Sequence, residues 1–189
     1  MKLSEKGLSL ITQFEGLKTE AYKSFPSEKY YTIGYGHCAA DIKKGMVITE
    51  PEALEYLKKD VERFEKHVSA YDKTYHFTQN QFDALVSFAY NIGSITQLTQ
   101  KGTRTITSIS NNILLYVNVN GKYSKGLYKR RMAEKELFDT LNKKTIHEVA
   151  LEVVAGKWGN GNDRKLALIK QGYSYEAVQK EVNLLMRRK

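Results

Sequence analysis

The chain has 189 residues, of which 41% are hydrophobic and 27% charged, a composition that excludes a disordered or fibrous polymer and suits a folded domain with a small appendage. Thirty basic against 21 acidic residues leave a net charge of +9, which favours a polyanionic partner, although no aromatic–basic interleaving points to nucleic acid. The single Cys38 rules out an internal disulfide and a cysteine-built zinc site, and His37, His67, His76 and His147 lack metal-ligand spacing, so no metal and no cofactor are expected.

The N-terminal stretch breaks its apolar pattern at Glu5 and Gln13, so it does not read as a signal peptide. No apolar run approaches the ~18–20 residues that span a bilayer, and stable membrane insertion is not expected. Ser4 caps a first helix with Leu8, Ile11 and Phe14 on one face, ending near Glu15 where Gly16 is a natural stop. Lys29–His37 differs in kind: Tyr30, Tyr31, Thr32 and Ile33 favour extended backbone, Gly34 and Gly36 permit tight turns, and a short hairpin or small sheet is predicted.

Thr49 with Glu52 makes a capping box for a long helix whose apolar face is Ala53, Leu54, Leu57, Val61, Phe64 and Val68. Thr78 with Gln81 repeats the device ahead of Phe82, Leu85, Val86 and Ala89, and Gly93 closes that helix. From Thr103 to Tyr123 the spacing of Ile106, Ile109, Ile113 and Val117 favours helix, against a β-branched content that favours strand. Lys129–Phe138 reads as a further, highly charged helix.

Polar Asp139–Lys144 lacks periodicity and is expected to be a linker between a domain over residues 1–138 and a module over residues 145–189. In that module Thr145 and Glu148 form a third capping box, and three short helices are predicted over Ile146–Ala155, Asp163–Gln171 and Tyr175–Met186. Three such helices bury only a small core, which suits recognition better than catalysis.

Glu15 is the first candidate for chemistry. A carboxyl half-buried at an apolar helix end, beside Phe14, is disposed to hold the proton that a general acid delivers to a glycosidic oxygen. By itself it reads first as a surface carboxylate that ends a helix, and the Gly-Tyr-Gly turn at 34–36 is common. Together, Phe14-Glu15-Gly16-Leu17, Ala21-Tyr22 and Tyr31-Thr32-Ile33-Gly34-Tyr35-Gly36-His37 closely resemble the active-site signature of the phage lysozyme family. Thr78–Gly93 resembles that family's central buried helix, and Gly126–Glu134 running into Glu136-Leu137-Phe138 resembles its closing helix. The likeness covers residues 3–138 in the right order.

This resemblance implies a mainly α, α+β lysozyme-like fold with a small sheet near the active site. It also implies hydrolysis of the β-1,4 bond between N-acetylmuramic acid and N-acetylglucosamine in peptidoglycan. Carried over, Glu15 is the general acid, Thr32 holds a water on the opposite face of the sugar, and Tyr35 and His37 support the site, His37 by bracing the turn through a hydrogen bond near Glu15. A monomer is expected, held in the host cytoplasm until a separate pore-forming protein releases it to the wall.

One departure stands out. The family pattern has an Asp or Cys nine residues after the Glu, with the Thr six further on. Here Ser24 occupies the first position, Thr32 comes two residues late, and the intervening loop carries Glu28. Glu28 is therefore the candidate second carboxylate, with Glu20 and Asp41 as weaker alternatives. An inverting glycosidase places its two carboxyls roughly 6.5–9.5 Å apart. The substitution at 24 keeps a lytic transglycosylase open as an alternative, and a catalytically inactive wall-binding protein as a more distant one.

Thr145–Met186 resembles the choline-independent cell-wall-binding repeat at the ends of phage lysins, here in one copy, as the last part of the fold: a three-helix bundle. The only tryptophan of the chain lies in its glycine-rich turn, and an aromatic ring among hydrogen-bonding groups is a generic sugar platform, although a tiny core could claim the same ring. The resemblance carries a wall-binding role onto Trp158, Asn160, Asp163, Arg164 and Tyr173.

Overall fold

The computed structural model describes residues 1–140 and 144–187, and the chain divides into two compact units, Met1–Leu141 and Asn142–Lys189. In the first unit, helix α1 (Glu5–Glu15) is opened by the Ser4 hydroxyl, which accepts the Gly7 N–H, and is closed at Gly16. Its buried face is Gly7, Leu10 and Ile11. Phe14 is only half-buried, a correction to its expected place in the core, because the helix end leaves the apolar interior before that residue.

A three-stranded antiparallel sheet follows, in the order β1 (Lys18–Tyr22), β2 (Tyr31–Gly34), β3 (His37–Ala39). The hairpin from β2 to β3 is the one expected, while β1 has no clear alternation to announce it, with Ala21 its single buried residue. Gly34 adopts φ +66°, and a Cβ there would stand 3.2 Å from the Ala53 side chain, so turn geometry and close packing both call for glycine.

Helix α2 (Glu50–Tyr75) and helix α3 (Gln79–Ile92) each begin at the predicted capping box. Helix α3 is the axis of the unit: Phe82, Ala84, Leu85, Val86, Phe88 and Ala89 are inaccessible to solvent. The N-terminus is fastened to it. Asp83, fully buried, accepts the Ser4 N–H at 3.0 Å and the Ser4 hydroxyl, while Glu65 of α2 accepts the Leu3 N–H at 2.7 Å. Helix α1 passes α3 so closely that a Cβ on Gly7 would lie 2.9 Å from the Asp83 side chain.

The region expected to be helical from Thr103 to Tyr123 splits in two. Helix α4 covers Ile106–Ile113, and β4 (Asn118–Val119) then pairs with β5 (Lys122–Tyr123). The turn between them has positive φ at both Asn120 (48°) and Gly121 (75°), the hairpin geometry that an Asn-Gly pair supports, and it overrides the apolar spacing. Helix α5 (Lys125–Asp139) completes the unit against α3. It starts four residues before the expected Lys129, because the Ser124 hydroxyl caps it.

In the second unit, α6 (Ile146–Val154), α7 (Gly161–Lys170) and α8 (Tyr175–Arg187) match the three predicted helices within two residues at each end. The core is small: Val149, Ala150, Val153, Leu168, Val178 and Val182, with Trp158 and Tyr173 half-buried against it. Of the expected linker, Asp139 closes α5, Lys144 pairs with Glu152, and residues 141–143 lie outside the described residues.

Candidate active site

Glu15 is the last residue of α1 and lines an open cleft of about 300 Å³ together with Gly36, Cys38, Asp60, Arg63, Tyr90 and Asn91. Its carboxylate is half-buried and meets a cation that the sequence reading did not supply. Arg130 Nη1 donates to Glu15 Oε1 at 2.6 Å, and the same guanidinium lies 5.9 Å from the Phe14 ring centre. No protein group among the described residues binds Oε2, which leaves that oxygen to the cleft.

Behind Arg130 stands a buried charge network. Arg130 Nε donates to Glu134 Oε1 at 3.0 Å and Nη2 to the Ser87 carbonyl at 3.2 Å, while the Ser87 hydroxyl donates to Glu134 at 2.9 Å. Arg131 Nε lies 2.8 Å from Glu134 Oε2, an ion pair out of line for a hydrogen bond. Burial pushes the Glu134 carboxyl up and the Arg131 guanidinium down, and their mutual attraction opposes both. Two cations and a carboxylate so placed form a rigid support for the Glu15 contact. Sequence reasoning missed Arg130, Arg131 and Glu134 as site residues. Their i, i+3 and i+4 spacing inside an otherwise charged helix was the available signal, and it reads equally as a solvated face.

His37 braces the turn, but its partner is Asp60 of α2. Nδ1 donates to the two carboxylate oxygens at 2.9 and 3.1 Å, and the ring stacks on Tyr56 with centroids 4.3 Å apart. Tyr35 is buried, donates to Glu50 Oε1 at 3.1 Å, and offers its carbonyl to the Tyr90 hydroxyl at 2.9 Å. Burial pushes both phenols up, so they act as neutral donors that fix the floor of the turn.

Thr32 lies directly across the sheet from Cys38, and opposed residues of an antiparallel pair project to one face. Thr32 therefore shares the face of the cleft-lining Cys38, opposite to buried Ile33. Glu28 sits in the loop from β1 to β2, half-buried, where its Oε2 accepts the Ser24 N–H at 2.9 Å; it is not among the residues lining the Glu15 cleft. Glu20 is exposed and bridges to Val47, and Asp41 is exposed in the turn after β3. Asp60, which the sequence did not single out, is the second carboxylate in the cleft, already engaged by His37.

Comparison with known families identifies the first unit. The phage lysozyme family model matches residues 12–134. The chain belongs to the phage lysozyme family. The endolysin of Bacillus phage B103 is 44% identical to this chain over 151 residues, 77% of the chain. The chain spans only 57% of the length of that relative. The endolysin of Acyrthosiphon pisum secondary endosymbiont phage 1 is 36% identical over 74% of the chain and 99% of its own length. Among solved structures, the muramidase domain of SpmX from Asticaccaulis excentricus superposes with a TM-score of 0.63 at 32% identity, covering 74% of this chain and 99% of that one. The endolysin from Escherichia coli O157:H7 phage FAHEc1 gives 0.61 at 38% identity, over 76% and 98%. The CW_7 repeat model matches residues 147–186, the helical module that follows the phage lysozyme domain.

Within that module, the Trp158 indole donates to Glu152 Oε2 at 3.1 Å and the ring meets Tyr173 edge-on with centroids 5.8 Å apart. Both rings serve the core as well as the surface. Asn160 precedes α7 without spending its side chain on a cap, and Asn160 and Asp163 are exposed. Arg164 is half-buried with its Nε unpaired. No helix among the described residues is long and apolar enough to cross a membrane, and no group of three metal-binding side chains occurs among them.

Proposed function

We propose that this protein hydrolyses the β-1,4 bond between N-acetylmuramic acid and N-acetylglucosamine in peptidoglycan, and so lyses bacterial cells from within. The observation that carries the reading is the carboxyl of Glu15, with one oxygen held by Arg130 and the other open to a cleft. The open oxygen carries the proton to the glycosidic oxygen. As the bond breaks, the carboxylate left behind is already paired with a guanidinium held in place by Glu134 and the Ser87 carbonyl.

Thr32 holds the attacking water from the sheet face. Glu28, in the β1–β2 loop outside the residues that line the Glu15 cleft, is the proposed second carboxylate and acts through Oε1, since Oε2 is taken by the Ser24 N–H. Tyr35 and His37 keep the turn in place. The CW_7 module binds the wall through Trp158, Asn160, Asp163, Arg164 and Tyr173, raising the local concentration of enzyme on a polymeric substrate. The protein acts as a monomer at the wall, reaching it from the host cytoplasm through a lesion made by another protein.

Mass spectrometry of fragments released from purified walls tests the reaction. Reducing ends are expected. Products with 1,6-anhydro ends would establish transglycosylation instead, the reading favoured by Ser24 in the acidic position, and no products would point to a binding protein. For the module, Asn160→Ala in the full chain is expected to weaken wall pull-down with no change in helix content.

A further inference from the structure

Asn91 stands in the last turn of α3 and lines the cleft beside Glu15. Its Oδ1 accepts a hydrogen bond from Arg131 Nη2 at 3.0 Å. A guanidinium can only donate, so this contact sets the amide with its oxygen inward and its NH2 group outward. No group among the described residues accepts from that NH2. Arg131 is itself immovable: fully buried, bonded to Glu134 through Nη2 at 3.0 Å, and stacked on Phe88 at 4.7 Å. A buried arginine is costly to place, and what it presents to the cleft is one oriented amide.

The remaining cleft groups show what that amide is suited to meet. Glu15 and Asp60 are carboxylates that welcome hydroxyls and repel a carbonyl oxygen. The Tyr90 hydroxyl is committed to the Tyr35 carbonyl, and exposed Arg63 lies over the Phe64 ring at 4.6 Å. An acceptor-only substrate group can meet two donors here, exposed Arg63 and Asn91, and of the two Asn91 is the one whose side chain is fixed by a hydrogen bond. On an N-acetylated amino sugar, that group is the acetamido carbonyl.

We propose that Asn91, positioned by Arg131, determines specificity by donating from Nδ2 to the acetamido carbonyl of the sugar bound beside Glu15. The inference rests on the muramidase reading and deepens it. A site built around a polar contact rejects a ligand lacking the partner group, so N-acetylated glycan is selected over its de-N-acetylated form.

Binding without turnover tests this, using the full chain carrying Glu15→Gln, with and without Asn91→Ala. The probes are the tetramer of N-acetylglucosamine and the tetramer of glucosamine. The Asn91 side-chain NH2 signals are expected to shift in NMR spectra with the first probe and not the second. Asn91→Ala is expected to weaken binding of the N-acetylated tetramer about tenfold, the size of one hydrogen bond, and to leave the glucosamine tetramer unaffected. Asn91→Asp preserves shape and the acceptor for Arg131 while removing the donor, so it carries the test if the alanine variant does not fold. Equal weakening on both probes, no weakening, or no binding of the N-acetylated tetramer would overturn the proposal. Failure of the muramidase reading shows separately, as absence of cleavage of purified walls by the unmodified protein.

Discussion

Arg130 reaches across 115 positions of chain to bind Glu15, Nη1 to Oε1 at 2.6 Å. The first helix of the domain contributes the carboxyl and the last contributes the cation, so the pair exists only when the whole unit is assembled. That dependence separates two kinds of substitution, one removing the proton and one removing its support.

Glu15→Gln keeps the shape and a possible acceptor for Arg130 but cannot deliver a proton. Loss of a general acid costs about 10²–10⁴-fold in rate. Turbidity clearance of susceptible cells is expected to fall by at least that range, with an unchanged circular dichroism spectrum. Retention of more than about a tenth of the activity would remove Glu15 from the role.

Arg130→Gln leaves Glu134 buried with one cation fewer and Glu15 without its partner. The Arg130 and Glu134 side chains are 4% and 0% exposed, so solvent screening does little to soften the loss. Breaking a buried pair from one side costs about 3–5 kcal/mol, which for a domain of this size lowers the melting temperature by on the order of 10 °C. Differential scanning calorimetry measures it; a shift below about 2 °C, the equivalent of roughly 1 kcal/mol, would mean the network is structurally idle.

Glu28→Gln retains an oxygen for the Ser24 N–H, so the loop survives while the charge is lost. A sharp fall in hydrolysis is expected, with wall binding preserved. Ser24→Asp is not expected to restore activity fully, because the two-residue insertion displaces the group, and a misplacement of about 1 Å can cost on the order of 10²-fold. Near-normal turnover by Glu28→Gln, with reducing ends still released, would leave Thr32 as the sole holder of the water.

Acid acts on the module through two carboxylates, exposed Glu148 and half-buried Glu152, held below their ordinary value of 4.5. The Thr145 backbone N–H is the main cause for Glu148, and Lys144, then the Trp158 indole, for Glu152. A lowered folded-state value means these contacts contribute fully above 4.5 and fade as pH falls through the lowered values. Because Trp158 is the only tryptophan, its fluorescence reports on this unit alone. A transition below pH 4.5 is expected, displaced by Glu148→Gln; an identical titration in that variant would refute the assignment.

What could be read in advance followed from local chemistry. The capping boxes at Thr49, Thr78 and Thr145 depend on residues three apart, and each opens a helix where it was expected. The Asn120-Gly121 turn was equally local but was outweighed by the isoleucine spacing before it. The partners of Glu15 and His37 were not legible, since Arg130 and Asp60 lie 115 and 23 positions away and only the folded chain brings them near. The same holds for Asn91, whose amide is turned by a residue 40 positions further on.

Gly7 has no side chain and lies a full eight positions before Glu15, outside the cleft lining. The absence of a Cβ is nevertheless what lets α1 settle against Asp83. A Cβ at position 7 would meet the Leu3 and Asp83 side chains within 3 Å, so the helix or those side chains must shift to admit it. A side chain at Gly7 is thus expected to reach the Glu15–Arg130 contact from a distance, through the seat of the helix.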